Sequence, residues 1–231
     1  VIITGCTITH NTASSGGGIS CDYSSPTISG CTITGNTAIN DGGGIYCDHS
    51  SPSIIGCRIS SNDGNQFGGG IRCSESSSPT ISDCTIQSNF AWNGGGICCD
   101  ASSSPSITGC TLSNNTAADG GGIYCEGGSA TITDCAISGN SGEWGGGIHC
   151  RSNSSPTITG CTISDNSAHV GGGISCDQSS PTITGCTISV NSAVNFSGGI
   201  WSIDSSPIIT DCTISSNNSD NWVAGSYPHL R

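Results

Sequence analysis

Nine cysteines recur along this chain at intervals of 25 to 27 residues: Cys6, Cys31, Cys57, Cys84, Cys110, Cys135, Cys161, Cys186 and Cys212. A second series follows the first by 15 or 16 residues, at Cys21, Cys47, Cys73, Cys99, Cys125, Cys150 and Cys176, with Ser202 in the eighth place and Cys98 extra. Thiols at this density could ligate a soft metal, form bridges, or fill an apolar interior. Zinc sites close on Cys-x-x-Cys pairs rather than on continuous columns, so no metal site is expected. Stacked neighbours about 4.8 Å apart exceed the usual Cβ separation of a bridge, about 3.5 to 4.5 Å, which strains disulfides within one column. Pairing Cys31 with Cys47, or Cys47 with Cys57, would need two columns to meet across a corner. Buried thiols and regular bridges both stay open, and so do all the free thiols that either leaves.

The carboxylates offer a second chemistry. Asp22, Asp48, Glu75, Asp100, Glu126 and Asp177 fall at one repeat position, interrupted by Arg151. Stacked acids repel and could recruit Ca²⁺, although a solvated turn row is the plainer reading, and no cofactor is expected. A polysaccharide lyase or hydrolase needs spaced carboxylates, or Ca²⁺ with a basic residue, in a cleft walled by long loops. The turns here vary by only a residue or two, so nothing builds a wall and no catalytic residue is assigned. His10, His49, His149, His169 and His229 do not recur at one position in neighbouring repeats, and no Ser-His-Asp set follows from them.

What positions these residues is a repeat. Ile-x-x-Cys-x-(Ile/Leu)-x-x-Asn is written nine times, and a fixed period of this size means a solenoid. In the repeat from Pro26 to Ser51, Thr27-Ile28-Ser29 reads as a strand, Gly30 as a corner and Cys31-Thr32-Ile33-Thr34 as a second strand. The corner lets Ile28 and Cys31, three residues apart, both point inward. A variable loop follows, then Gly42-Gly43-Gly44-Ile45-Tyr46-Cys47 as a third strand, and Pro52 enters the next turn. Three short strands per turn and no helical period predict an all-β right-handed parallel β-helix of about nine coils, a rod roughly 40 Å long. Ile fills its inward columns, with Leu112 the one replacement. The Asn five residues after each Cys, from Asn11 to Asn217, predicts a buried ladder of side-chain amides.

The motifs resemble those of the right-handed parallel β-helix family, the fold shared with pectin-lyase-like proteins. Gly43-Gly44-Ile45 and Ile33-Thr34-Gly35-Asn36 are similar to the paired short motifs of chlamydial polymorphic outer-membrane protein passengers. That resemblance implies an adhesin-like, cell-surface role. It departs from the passengers in carrying Gly for Ala and Ile or Leu for Phe.

The surface carries the remaining expectations. The outward column of the third strand is Ser20, Tyr46, Arg72, Cys98, Tyr124, His149, Ser175 and Trp201, beside loop residues that include Phe67, Trp92, Trp144 and Phe196. Exposed aromatics on a rigid face would bind a partner or stack on sugars, which makes Tyr46, Trp92, Tyr124, Trp144 and Trp201 the candidate contact residues; otherwise they fold back as lids. Cys98, next to inward Cys99, should point outward. The second strand presents Thr-x-Thr or Thr-x-Ser, as at Thr7-Ile8-Thr9, resembling the ice-binding face of some β-helical antifreeze proteins, but Arg58, Gln87 and Ala136 interrupt it. Sequons place candidate glycosylation at Asn114, Asn153 and Asn195, whereas the sequon Asn217 belongs to the buried ladder.

With a net charge of -12, four Arg and no Lys, the chain lacks the basic footprint that nucleic acid or anionic lipid requires. No apolar run reaches the roughly 20 residues that span a bilayer, so membrane insertion is not expected. The chain is divided into a repeat domain, 1–217, and a non-repeating tail, 218–231, serving as a cap or connector. The expected function is a non-catalytic extracellular structural or adhesive segment, a fibre-forming glycoprotein subunit that meets further coils or itself head to tail, with carbohydrate as a partner. A pectin-lyase-like enzyme and an ice-binding protein are the alternatives.

Overall fold

The structure is a computed structural model that describes residues 1–100 and 102–221. Its chain is wound into a parallel β-solenoid. First strands, from Ile2–Thr4 to Ile208–Thr210, form one nine-stranded sheet, and second strands, from Thr7–Thr9 to Thr213–Ser215, form another. Third strands, from Ile19–Asp22 to Ile200–Ile203, form an eight-stranded sheet. Strands pair in parallel with the equivalent strand one coil away, so Ile28 lies between Ile3 and Ile54 and Ile33 between Ile8 and Ile59.

The segment after each Asn, expected as a loop, is in fact a fourth strand in several coils. Thr12–Ser15 pairs with Thr37–Asp41 in the first two coils, and Ser141–Trp144, Ser167–Val170, Ser192–Asn195 and Asn218–Asn221 form a four-stranded sheet in the last four. Isolated bridges such as Thr37↔Asp63 and Phe90↔Thr116 carry the same alignment through the middle coils. Side chains there vary freely because the pairing is made by backbone. The strand Asn218–Asn221 also moves the expected boundary at 217: the solenoid continues through these residues, while 222–231 of the proposed tail lie outside the described residues.

Each corner between first and second strands has a positive φ, 57° at Gly30 and 53° at Asp83, and this lets Ile28 and Cys31 both enter the interior. The isoleucine columns are fully buried in the inner coils. Each such Ile contributes about 1.5 to 3 kcal/mol of burial. All 17 cysteines are unbridged, and the two inward columns interleave with the isoleucines. In the first column a backbone N–H points at the next thiol, as from Cys31 to Cys57 Sγ at 3.5 Å. At the opposite corner Gly43 and Gly44 leave no room for a side chain: a Cβ on either would meet backbone of the next coil at 2.5 Å.

Asparagine ties the bend that remains. The backbone N–H and Nδ2 of Asn36 both donate to Asn62 Oδ1 at 3.0 Å, and Nδ2 donates again to the carbonyl of Ile8 at 3.0 Å. The same three bonds repeat up the column at Asn62, Asn89, Asn115, Asn140, Asn166 and Asn191. Each amide thereby uses two donors and two lone pairs in a site closed to water. The serines before each Pro form a second set of ladders that the sequence reading did not anticipate. The Ser50 N–H donates forward to Ser77 Oγ at 3.0 Å, while the adjacent Ser78 N–H donates back to Ser51 Oγ at 3.0 Å.

Two outcomes are expected. Asn115→Ala removes the acceptor of the Asn89 N–H and the donor to the Ile86 carbonyl, at about 1 to 3 kcal/mol for each orphaned group, hence about 2 to 6 kcal/mol in urea unfolding. Asn11→Ala, at the exposed end of the ladder, should cost under about 1 kcal/mol. Equal effects from the two would refute the ladder's role. Titration of the unfolded, unreduced chain should find 17 thiols, and a count near three would mean bridged columns.

Candidate functional site

Polar and aromatic side chains converge on the outer face of the third-strand sheet. Ser20, Tyr46, Arg72, Cys98, Tyr124, His149, Ser175 and Trp201 stand in register along it. The chain arrives there through a reversal at Gly42, whose φ is 65°, and a Cβ at that position would meet Tyr46 Cα at 2.8 Å. That tight reversal sets a second column alongside the first: Asp41, Phe67, Asn93, Asp119, Trp144, Val170 and Asn195, joined by parallel bridges. The second column leans over the first.

Burial is the result, and it revises the expected contact surface. Tyr124 is 1% exposed and Trp201 5%, so these two are not exposed contact residues but lie under lids. Cys98 points away from the core as expected, yet it too is buried. Tyr46 is half-buried, with its hydroxyl accepting from Ser74 Oγ at 3.1 Å. Trp92, 64% exposed, and Trp144, 37%, are the candidates that reach solvent. Of the sequon residues, Asn114 and Asn153 are exposed at positive φ, Asn195 is half-buried with Nδ2 2.7 Å from His169 Nε2, and Asn217 ends the ladder.

Arg72 organises one half of the strip. Its Nη2 donates to Asp100 Oδ2 at 2.7 Å and its Nη1 to Cys98 Sγ at 2.9 Å, while Nε stands 3.8 Å from Asp41 and the guanidinium lies 4.1 Å over the Phe67 ring. Burial raises the carboxyl pKa values of Asp41 and Asp100, and Arg72 opposes the rise. Burial also pushes the Cys98 thiol up to about 12, against the pull of Arg72, which leaves it a poor nucleophile.

The other half is aromatic. His149 lies against Trp144 with centroids 6.3 Å apart and meets Tyr124 edge-on at 5.6 Å. Trp144 reaches on to Trp201 at 5.4 Å, and Phe196 flanks Trp201 at 5.9 Å. Burial, with Arg151 nearby, holds the imidazole pKa down to about 3, so His149 is neutral. Asp119 Oδ1 stands 3.7 Å from Nδ1, beyond hydrogen-bond length, and its carboxyl pKa is raised by burial against the pull of Arg151. The two His149 ring nitrogens, Ser175 Oγ, Trp201 Nε1 and Arg72 Nε have no hydrogen-bond partner.

The expected acid row changes in register. Ser74, not Glu75, pairs with Asp48, because the third strand of that coil runs through Ser74 and Glu75 enters the turn at φ 49°. Arg151 separates Glu126 from Asp177 and lies 3.8 Å from the latter. Among the described residues, no three His, Cys, Asp or Glu side chains are grouped to hold a metal ion. The first-strand sheet holds a feature the sequence reading passed over. Its 18 outward positions carry 15 Ser or Thr hydroxyls and three Ile, with no charge, whereas Arg58 and Gln87 break the second-strand face.

A family model described as a right-handed β-helix region matches residues 1–130 and 69–227. No curated protein and no solved structure matches the chain, so the likeness to the chlamydial passengers stays one of short motifs.

The neutral His149 predicts an acid response. Its folded pKa lies below the unfolded value, so the unfolded chain takes up the extra proton. The stability it confers is whole above about pH 6.5 and is lost as pH falls toward about 3. His149→Phe should retain more of its neutral-pH stability than the parent chain across this window. Parallel acid-unfolding curves would overturn the assignment.

Proposed function

The chain belongs to the right-handed β-helix family, and from that premise we propose that it serves as a non-catalytic rod, an extracellular structural and adhesive segment. The observation that carries this reading is the commitment of the carboxylates beside the strip. Asp41, Asp100, Asp119 and Asp177 each stand within 4 Å of Arg72 or Arg151. Each of these carboxylates is turned toward a guanidinium rather than left open to a substrate, and the strip's thiol and imidazole are held in their neutral forms. What the rod offers is area. The uncharged hydroxyl face of the first sheet and the exposed rings of Trp92 and Trp144 suit contact with carbohydrate or with another surface. Exposed Asn114 and Asn153 are the sites at which the rod would carry glycans.

Incubation with neutral and acidic polysaccharides should release no reducing ends and no unsaturated product. On a glycan-coated surface the rod should be retained, and replacing Trp92 and Trp144 with Ala should abolish retention while leaving the melt within a few degrees. Turnover that persists through repurification would overturn the reading in favour of an enzyme.

A further inference from the structure

Three polar side chains in successive coils hold hydrogen-bonding atoms with nothing to bond. His149, Ser175 and Trp201 stand side by side on the strands Ile148–Arg151, Ile174–Asp177 and Ile200–Ile203. All are more than nine-tenths buried, and Nδ1 and Nε2 of His149, Oγ of Ser175 and Nε1 of Trp201 lack partners. Buried groups in native proteins are rarely left so, and a set of them on one strip marks a place where something binds.

The walls of the strip describe what fits. Trp144 spans it, 6.3 Å from the His149 ring and 5.4 Å from Trp201, and so roofs the coil of Ser175 between them. Phe196 closes the Trp201 end and Tyr124 the His149 end. A ligand here needs apolar faces for the rings and several hydroxyls that both donate and accept. A pyranose has both. Charge narrows the class further: Asp119 and Glu143 lie at this end of the strip, Arg151 is shared between Asp119 and Asp177, and among the described residues no cation here is left for a uronate.

We propose that this strip binds one pyranose ring of a neutral oligosaccharide, seated between Trp144 and Trp201 with its hydroxyls on His149, Ser175 and the Trp201 indole. Trp144 admits the ring by turning outward on its side-chain torsions, since one side of it already faces solvent. Its backbone stays in place, fixed by the Trp144 N–H to Ala118 carbonyl bond at 3.0 Å and the Gly145 N–H to Val170 carbonyl bond at 3.0 Å. The inference rests on the reading of this face as a contact surface.

Cellohexaose, mannohexaose and a galacturonate hexamer would be titrated into the protein, followed by tryptophan fluorescence and calorimetry. A neutral hexamer should bind saturably and shift the emission, and the galacturonate should not. Ser175→Ala, which removes one unpaired hydroxyl from a closed site and should fold, should weaken binding about tenfold. Trp201→Phe keeps a ring and removes only the N–H, and should weaken it similarly, while Trp144→Ala should abolish it. Absence of binding by both neutral sugars, equal binding of the galacturonate, or parental affinity in both Ser175→Ala and Trp201→Phe would each overturn the proposal. Surface retention that is lost in Trp92→Ala yet intact in Ser175→Ala would remove this site and leave the adhesive rod standing.

Discussion

A backbone that turns a corner inside a protein must find partners there for its N–H and C=O groups, and in this solenoid the asparagine column supplies them. Each inner amide accepts the N–H and Nδ2 of the Asn one coil below and donates to the Asn one coil above and to an isoleucine carbonyl, or at Asn140 to that of Leu112. Because every amide is spoken for by its neighbours, the bend can repeat only if each coil places its Asn at the same height. That requirement sets the register of everything else. Isoleucine falls on isoleucine, thiol on thiol, and the glycine run on the next glycine run at distances no side chain would permit.

In-register stacking has a second consequence, on the outside of the rod. Outward residues are forced into columns, so a face is uniform unless the sequence breaks it. The first sheet is uniform, a field of hydroxyls. The third sheet is broken at almost every coil, with Arg72, Cys98, Tyr124, His149, Ser175 and Trp201 succeeding one another. A strand buried on both faces would ordinarily be apolar throughout. Here one covered face is polar and is stabilised unevenly: Arg72 satisfies Asp100 and Cys98, while His149, Ser175 and the Trp201 indole are left with bonds to make. Three unsatisfied side chains gathered in successive coils are the reason this strip, and not the hydroxyl face, is assigned a ligand.

Much of the fold was legible in the chain because solenoid positions are local. The spacing of Ile28, Gly30 and Cys31 states a corner, the recurrence of Asn36 after Cys31 states a ladder, and neither depends on distant contacts. Other features sat in plain view but had no unique meaning. Ser-Ser-Pro recurs before the first strand, and only the stacked structure shows one serine donating up the rod and the next donating down it. Glu75 seemed to belong with Asp48, yet Ser74 follows Cys73 as Asp48 follows Cys47, and the strands pair these two.

By itself, then, the sequence determined the coil, its period, the inward columns and the ladder, since each is a rule about residues a fixed distance apart. Only the tertiary structure decided which outward residues meet water. Tyr124 and Trp201 alternate outward exactly as a strand requires, but whether such a side chain is exposed depends on what the neighbouring segment does. Here the reversal at each glycine run sets a second column beside the first, with Asp41 next to Arg72 and Trp144 against His149 and Trp201. The ion pairs of Arg72 and the isolation of His149 follow from that overhang, in which residues from two or three coils share one covered strip. Periodicity along one strand carries no information about a lid contributed by another.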